Sequence, residues 1–155
     1  MNRARQTGLH PLIARGIRRA EKQRKADVIA KPMREMFALL QTGEVFEIEG
    51  RIVMKMPEVD PTIADQCEWC EIAPAIRGWI ECWQRIAPDL SLYRMGVLAD
   101  RLERGAEITP RLIEQARAEF EATIARIPDT EDGTILRAIT TTQIVWEMEK
   151  MQGAD

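Results

Sequence analysis

Three cysteines, one histidine and four tryptophans are the side chains with the most specific chemistry to offer in these 155 residues. Cys67-Glu68-Trp69-Cys70 is a CxxC, and Cys82 follows within the same stretch, which also holds Trp69, Trp79 and Trp83. Thiolates at i and i+3 on a helix lie on one side of it and can chelate zinc, but a structural site needs four ligands. Cys67, Cys70 and Cys82 would need His10 as the fourth, and the C-x2-C-x11-C spacing has no second pair or histidine close by. A redox pair would stand where a helix starts after a strand. Here the setting reads as helical, and Glu68 and Glu71 raise the thiol pKa values. The cysteines therefore read as small buried apolar side chains. No metal or cofactor is expected. A zinc-stabilised interaction module on Cys67, Cys70 and Cys82 is the alternative.

The second chemical feature is cationic. Residues 1–25 carry eight basic side chains against Glu21 alone, a net +7, whereas the remainder nets −10 within an overall −3. Arg15, Arg18, Arg19, Lys22 and Lys25 fall on one side of a helix starting at Pro11, opposite Ile13, Ile17 and Ala20. The expectation is that the isoleucines pack and the cations face outward, toward the carboxylates of a partner or toward phosphate. Interleaved aromatics for base stacking are lacking, and no segment has a helix-turn-helix pattern.

Catalysis has few occupants. The sequence holds no GxGxxG, P-loop, GxSxG or HExxH. His10 lies beside Pro11 and Ser91 near a helix start, so the chain is expected not to be an enzyme. No apolar run reaches the ~18 residues of a membrane span. No apolar stretch follows the basic lead, and the cysteine count is odd, so a reducing cytoplasm is the expected compartment.

The elements that must position these residues read mainly as helices. Pro32 is expected to end the first near Lys31, and Met33, Met36, Phe37 and Leu40 then make a second, closed by Gly43. Val45–Met54 predicts one β-hairpin, about residues 45–55, with a three-residue loop Glu49-Gly50-Arg51 that pairs Ile48 with Ile52 and Phe46 with Met54. Asp60-Pro61 opens a helix running to Ala87, with a kink at Pro74. Trp69, Ile72, Ile76, Trp79 and Trp83 form its seam. Asp89 caps the next helix, in which Leu90, Tyr93, Val97 and Leu98 share a face until Gly105. Thr109-Pro110 starts another, with Ile113, Ala116, Phe120, Ile124 and Ile127 inward. Thr130 caps the last, with Ile135, Ile139, Thr142 and Trp146 inward.

The fold expected is mostly α: a basic lead at 1–9, then a single-domain helical bundle of six or seven helices over 10–152 with one β-hairpin. The function expected is binding of a host protein or nucleoprotein complex by a small regulator or inhibitor of the phage or plasmid type, for example an anti-defence protein. Arg15, Arg18, Arg19, Lys22 and Lys25 are the contact residues, and Trp69, Trp79 and Trp83 are candidate interface aromatics, because large aromatics dominate binding hot spots. DNA or RNA binding by the same cations is an alternative. No membrane contact is expected, and a homodimer is left open.

Overall fold

The computed structural model of the chain describes residues 11–55 and 69–153, and in its first helix the side chains of Ile13 and of residues from 18 onward. Five α-helices and a three-stranded antiparallel sheet make up these residues, so the chain is mostly helical, with fewer helices among the described residues than the six or seven expected.

Helix α1 spans Pro11–Thr42 without a break. The expected stop before Pro32 does not occur. Pro32 and Val28 are both exposed, so the carbonyl deprived of its partner by proline lies on the water side, where the loss is cheapest. The C-terminal half of α1 is anchored by Ala26, Ala30, Met33, Met36, Phe37 and Leu40, all buried.

Strands β1 (Phe46–Ile48) and β2 (Arg51–Lys55) form the expected hairpin, but Ile48 pairs with Arg51 and Phe46 with Val53. The loop is thus Glu49-Gly50, not three residues. Both residues have positive φ, 53° and 76°, the backbone of a tight two-residue turn whose twist matches that of the strands. One face of the hairpin carries Ile52 and Met54 toward the core, and the other carries Phe46, Ile48 and Val53. A third strand, β3 (Trp69–Glu71), pairs with β2. This corrects the helical reading of Trp69 and Cys70: helix α2 (Ile72–Ile86) begins only afterwards. Pro74 stands in its first turn, where a missing N–H costs nothing, so it marks a start and not a kink.

Helix α3 (Tyr93–Arg104) is not capped by Asp89, which ion-pairs with Arg126 at 2.6 Å. The backbone N–H of Met95 instead donates to the Glu119 carboxylate at 2.8 Å. The buried face of α3 is Met95, Leu98, Ala99 and Leu102, while Tyr93 is exposed. Gly105 closes it in the left-handed conformation. Helix α4 (Pro110–Arg126) starts as expected, the Leu112 N–H donating to Thr109 Oγ1 at 3.2 Å. A 3-10 turn (Ile127–Asp129) leads to helix α5 (Asp132–Gly153). Thr130 turns its hydroxyl back to the Arg126 carbonyl, 2.7 Å away, and does not cap α5.

Helix α1 packs on α4 and the 3-10 turn, α2 lies between α3 and α5, and β2 rests on α2 and α3. One apolar cluster joins α1, the sheet, α2, α3 and α4. Phe120 is central, with Phe37 at 5.5 Å and Trp79 at 5.0 Å between ring centres. Helix α5 is attached chiefly through α2 and buries only Ala138 and Thr142 fully. No described helix is long and apolar enough to cross a membrane.

Candidate functional site

The indoles of Trp79 and Trp83 are held by their place on α2. Trp79 donates its Nε1–H to Thr123 Oγ1 at 2.9 Å, and that hydroxyl donates to the Phe120 carbonyl at 2.6 Å. Trp83 is almost wholly buried, 6.4 Å from Trp79. A third indole, Trp146 of α5, donates its Nε1–H to Glu81. Trp146 lies close over Gly78: a Cβ at 78 would meet its ring 3.3 Å away. Arg85 adds a hydrogen bond to Thr142 Oγ1 at 2.9 Å. These ties hold α5 against α2 but leave a groove between α5 and α1.

That groove has room for about 310 Å3 and is lined by Ile29 of α1, by Gly78, Trp79, Cys82 and Trp83 of α2, and by Ile135, Ile139, Thr142, Gln143 and Trp146 of α5. No lining side chain is charged. The indole N–H groups of Trp79 and Trp146 are satisfied within the protein, so the surface offers an occupant mainly apolar contact, with the exposed Gln143 amide as its polar member. Past Ile29, Ile135 and Ile139 the groove continues into a further 200 Å3, bordered by Lys22, Lys25 and Asp132. From Asp132 to Trp146 the α5 wall is about 21 Å long, by the rise of an α-helix.

The packing face of the basic helix is not the one expected. Ile13 and Ala20, taken as the packing face of α1, are exposed. By helical spacing, positions 19 and 22 share the sector of Ala26, Met33 and Phe37, the side on which α1 meets the 3-10 turn. Arg19 accordingly pairs with Asp129 at 2.5 Å. The Arg19 guanidinium holds the Asp129 carboxyl below its ordinary range, with Lys22 contributing. Arg18 and Lys25 are exposed and Lys22 is half-buried; the side chain of Arg15 lies outside the described residues.

The other sequence candidates separate. Trp69 stands on β3 on the outer face of the sheet, edge-on to Phe46 with ring centres 5.4 Å apart, away from Trp79 and Trp83. Cys70 is on that strand and Cys82 lines the groove, both half-buried with free thiols. Burial pushes both thiol pKa values up, with Glu71 adding to the effect on Cys70 and Arg85 opposing it on Cys82. Cys67 and His10 lie outside the described residues. Among the described residues, no three His, Cys, Asp or Glu side chains cluster in a way that could hold a metal ion. Trp146, read from sequence only as an inward residue of the last helix, is the aromatic that completes the groove. The signal that could have found this is Gly78, a mid-helix glycine between Trp79 and the seam residue Ile76. The sequence matches no family model, no curated protein and no solved structure.

Proposed function

We propose that this chain is a non-enzymatic binding protein that captures an amphipathic helix of another protein in the groove between α1 and α5, and thereby regulates or inhibits that partner. The observation carrying this reading is the groove itself: three indoles and three isoleucines, an uncharged lining, and two lysines against one aspartate, Asp132, at one end. An amphipathic helix presents apolar anchors at i, i+3 or i+4 and i+7, a span of about 10 Å that a trough of this length accommodates. Its acidic residues would reach Lys22, Lys25 and Arg18, of which Asp129 acts on Lys22 only over a distance. A phage- or plasmid-type regulator acting on a host protein or nucleoprotein complex is a setting in which such a module would serve.

Nucleic-acid binding by Arg18, Lys22 and Lys25 is the second reading, favoured by the exposure of Arg18 and Lys25 on one cationic helix. The two readings divide experimentally. Tagged protein is used for affinity capture with identification of the partner, in wild-type, Ile139→Glu and Lys22→Glu/Lys25→Glu forms. Groove capture predicts one partner lost with Ile139→Glu and weakened with the lysine variant. A partner retained by Ile139→Glu, or a salt-sensitive shift of DNA lost only in the lysine variant, would overturn it.

A further inference from the structure

Helix α5 carries a second surface, which meets the groove only at Leu136, on the border of its 200 Å3 extension. Gly133, Arg137, Thr140, Ile144, Glu147 and Met151 recur at spacings of four, three, four, three and four, and all six are exposed. That is the spacing of a helix-pairing seam, which keeps one line of side chains facing a neighbour over several turns. Ile144 is 54% exposed and Met151 73%, and the flanking Leu136 and Met148 are 65% and 55% exposed. So much apolar surface on one outward line is an interaction site in the making.

We propose that this face pairs antiparallel with the same face of a second copy of the chain, about a two-fold axis level with Thr142. A two-fold interface must be complementary to itself, and this one is. With the axis there, Gly133 stands opposite Met151, Arg137 opposite Glu147, and Thr140 opposite Ile144, while Leu136 and Met148 meet at the flank. Small meets large at Gly133–Met151 and Thr140–Ile144, and cation meets anion at Arg137–Glu147. A parallel pair would set Arg137 against Arg137 and Glu147 against Glu147, and the like charges reject it. Neither residue has an ion pair within its own chain among the described residues; Arg137 only donates to the Gly133 carbonyl of its own helix, at 3.3 Å. The groove residues Ile135, Ile139, Thr142 and Trp146 lie on the other side of α5, so pairing leaves the main groove open, touches its extension only at Leu136, and does not depend on its proposed use.

The test is a charge exchange read by sedimentation equilibrium on the full-length chain. The wild type is expected to be a dimer. Arg137→Glu or Glu147→Arg alone places like charges opposite one another and should weaken the dimer more than about tenfold. Both positions are exposed, so circular dichroism should show unchanged helicity. The double variant Arg137→Glu/Glu147→Arg restores opposite charges and should restore the dimer. An equimolar mixture of the two single variants should give a 1:1 heterodimer. A monomeric wild type throughout the micromolar range, a dimer indifferent to the single exchanges, or no rescue in the double variant and the mixture would each overturn the proposal.

Discussion

Replacing Thr123 with valine removes one oxygen and nearly nothing else, and it tests how the groove wall is held. Thr123 is fully buried, its hydroxyl both accepting from the Trp79 indole and donating to the Phe120 carbonyl. Valine keeps the shape, so no cavity opens. What is lost is the partner of the indole N–H, and a buried donor left without one costs roughly 1–3 kcal/mol. Thr123→Ser is the control: it keeps the hydroxyl and deletes one methyl, worth about 1 kcal/mol of buried apolar contact. In urea unfolding followed by tryptophan fluorescence, Thr123→Val should therefore lose about 2 kcal/mol, more than Thr123→Ser. Because Trp79 also packs on Phe120, the valine variant should show altered near-ultraviolet dichroism. A valine variant within about 0.5 kcal/mol of wild type, the spread of ordinary neutral substitutions, would refute the view that this hydrogen bond fixes the indole.

Three further perturbations test other elements. Pro32→Ala should stabilise the chain by about 1–3 kcal/mol in thermal unfolding, because alanine restores a helix-interior N–H at an exposed position; a loss of stability would mean that proline shapes α1. Glu119→Ala should cost about 0.5–2 kcal/mol through the uncapped start of α3, whereas Glu119→Gln keeps an acceptor for Met95. Burial raises the Glu119 pKa above the ordinary 4.5 despite the opposing backbone hydrogen bonds. Its contribution to stability is therefore fully present below that value and is lost as pH rises through the raised one. The glutamine variant should lack this downward slope in denaturation curves above pH 4.5. The thiol of Cys82, raised by burial, should react slowly with iodoacetamide at neutral pH and faster at higher pH, since only the thiolate attacks; rapid neutral-pH labelling would contradict the assignment.

Helix α4 was legible almost residue by residue, because Thr109-Pro110 and the spacing of Ile113, Ala116, Phe120 and Ile124 are local signals. Gly105 was legible for the same reason. Pro32 misled because sequence does not say which side of a helix faces water, and an exposed proline in a long helix is tolerated. Trp69 and Cys70 were drawn into a helix by the period of the residues after them; their strand exists only because β2 offers an edge to pair with, and that is not local information. The hairpin loop turned on Glu49 adopting a positive φ, rare for a residue other than glycine, asparagine or aspartate. The basic helix was expected to pack by Ile13 and Ile17, with its cations outward. Ile13 is exposed, and Arg19 is drawn to the carboxylate of Asp129. The groove itself was half visible. Trp79, Trp83, Ile135, Ile139 and Trp146 could each be marked as inward, but the gap left between α1 and α5 depends on how α5 seats against α2.

The claim on which the functional reading stands is that the groove receives a partner's helix. The most direct measurement places a photo-activated cross-linking amino acid at Ile139, within the groove, and at Tyr93, exposed on α3, in cells that produce the chain. The account predicts that position 139 alone yields a cross-link to a second protein, and that the linked peptide carries apolar residues at helical spacing with acidic neighbours. Equal yields from both positions, or linkage at 139 to nucleic acid, would contradict it.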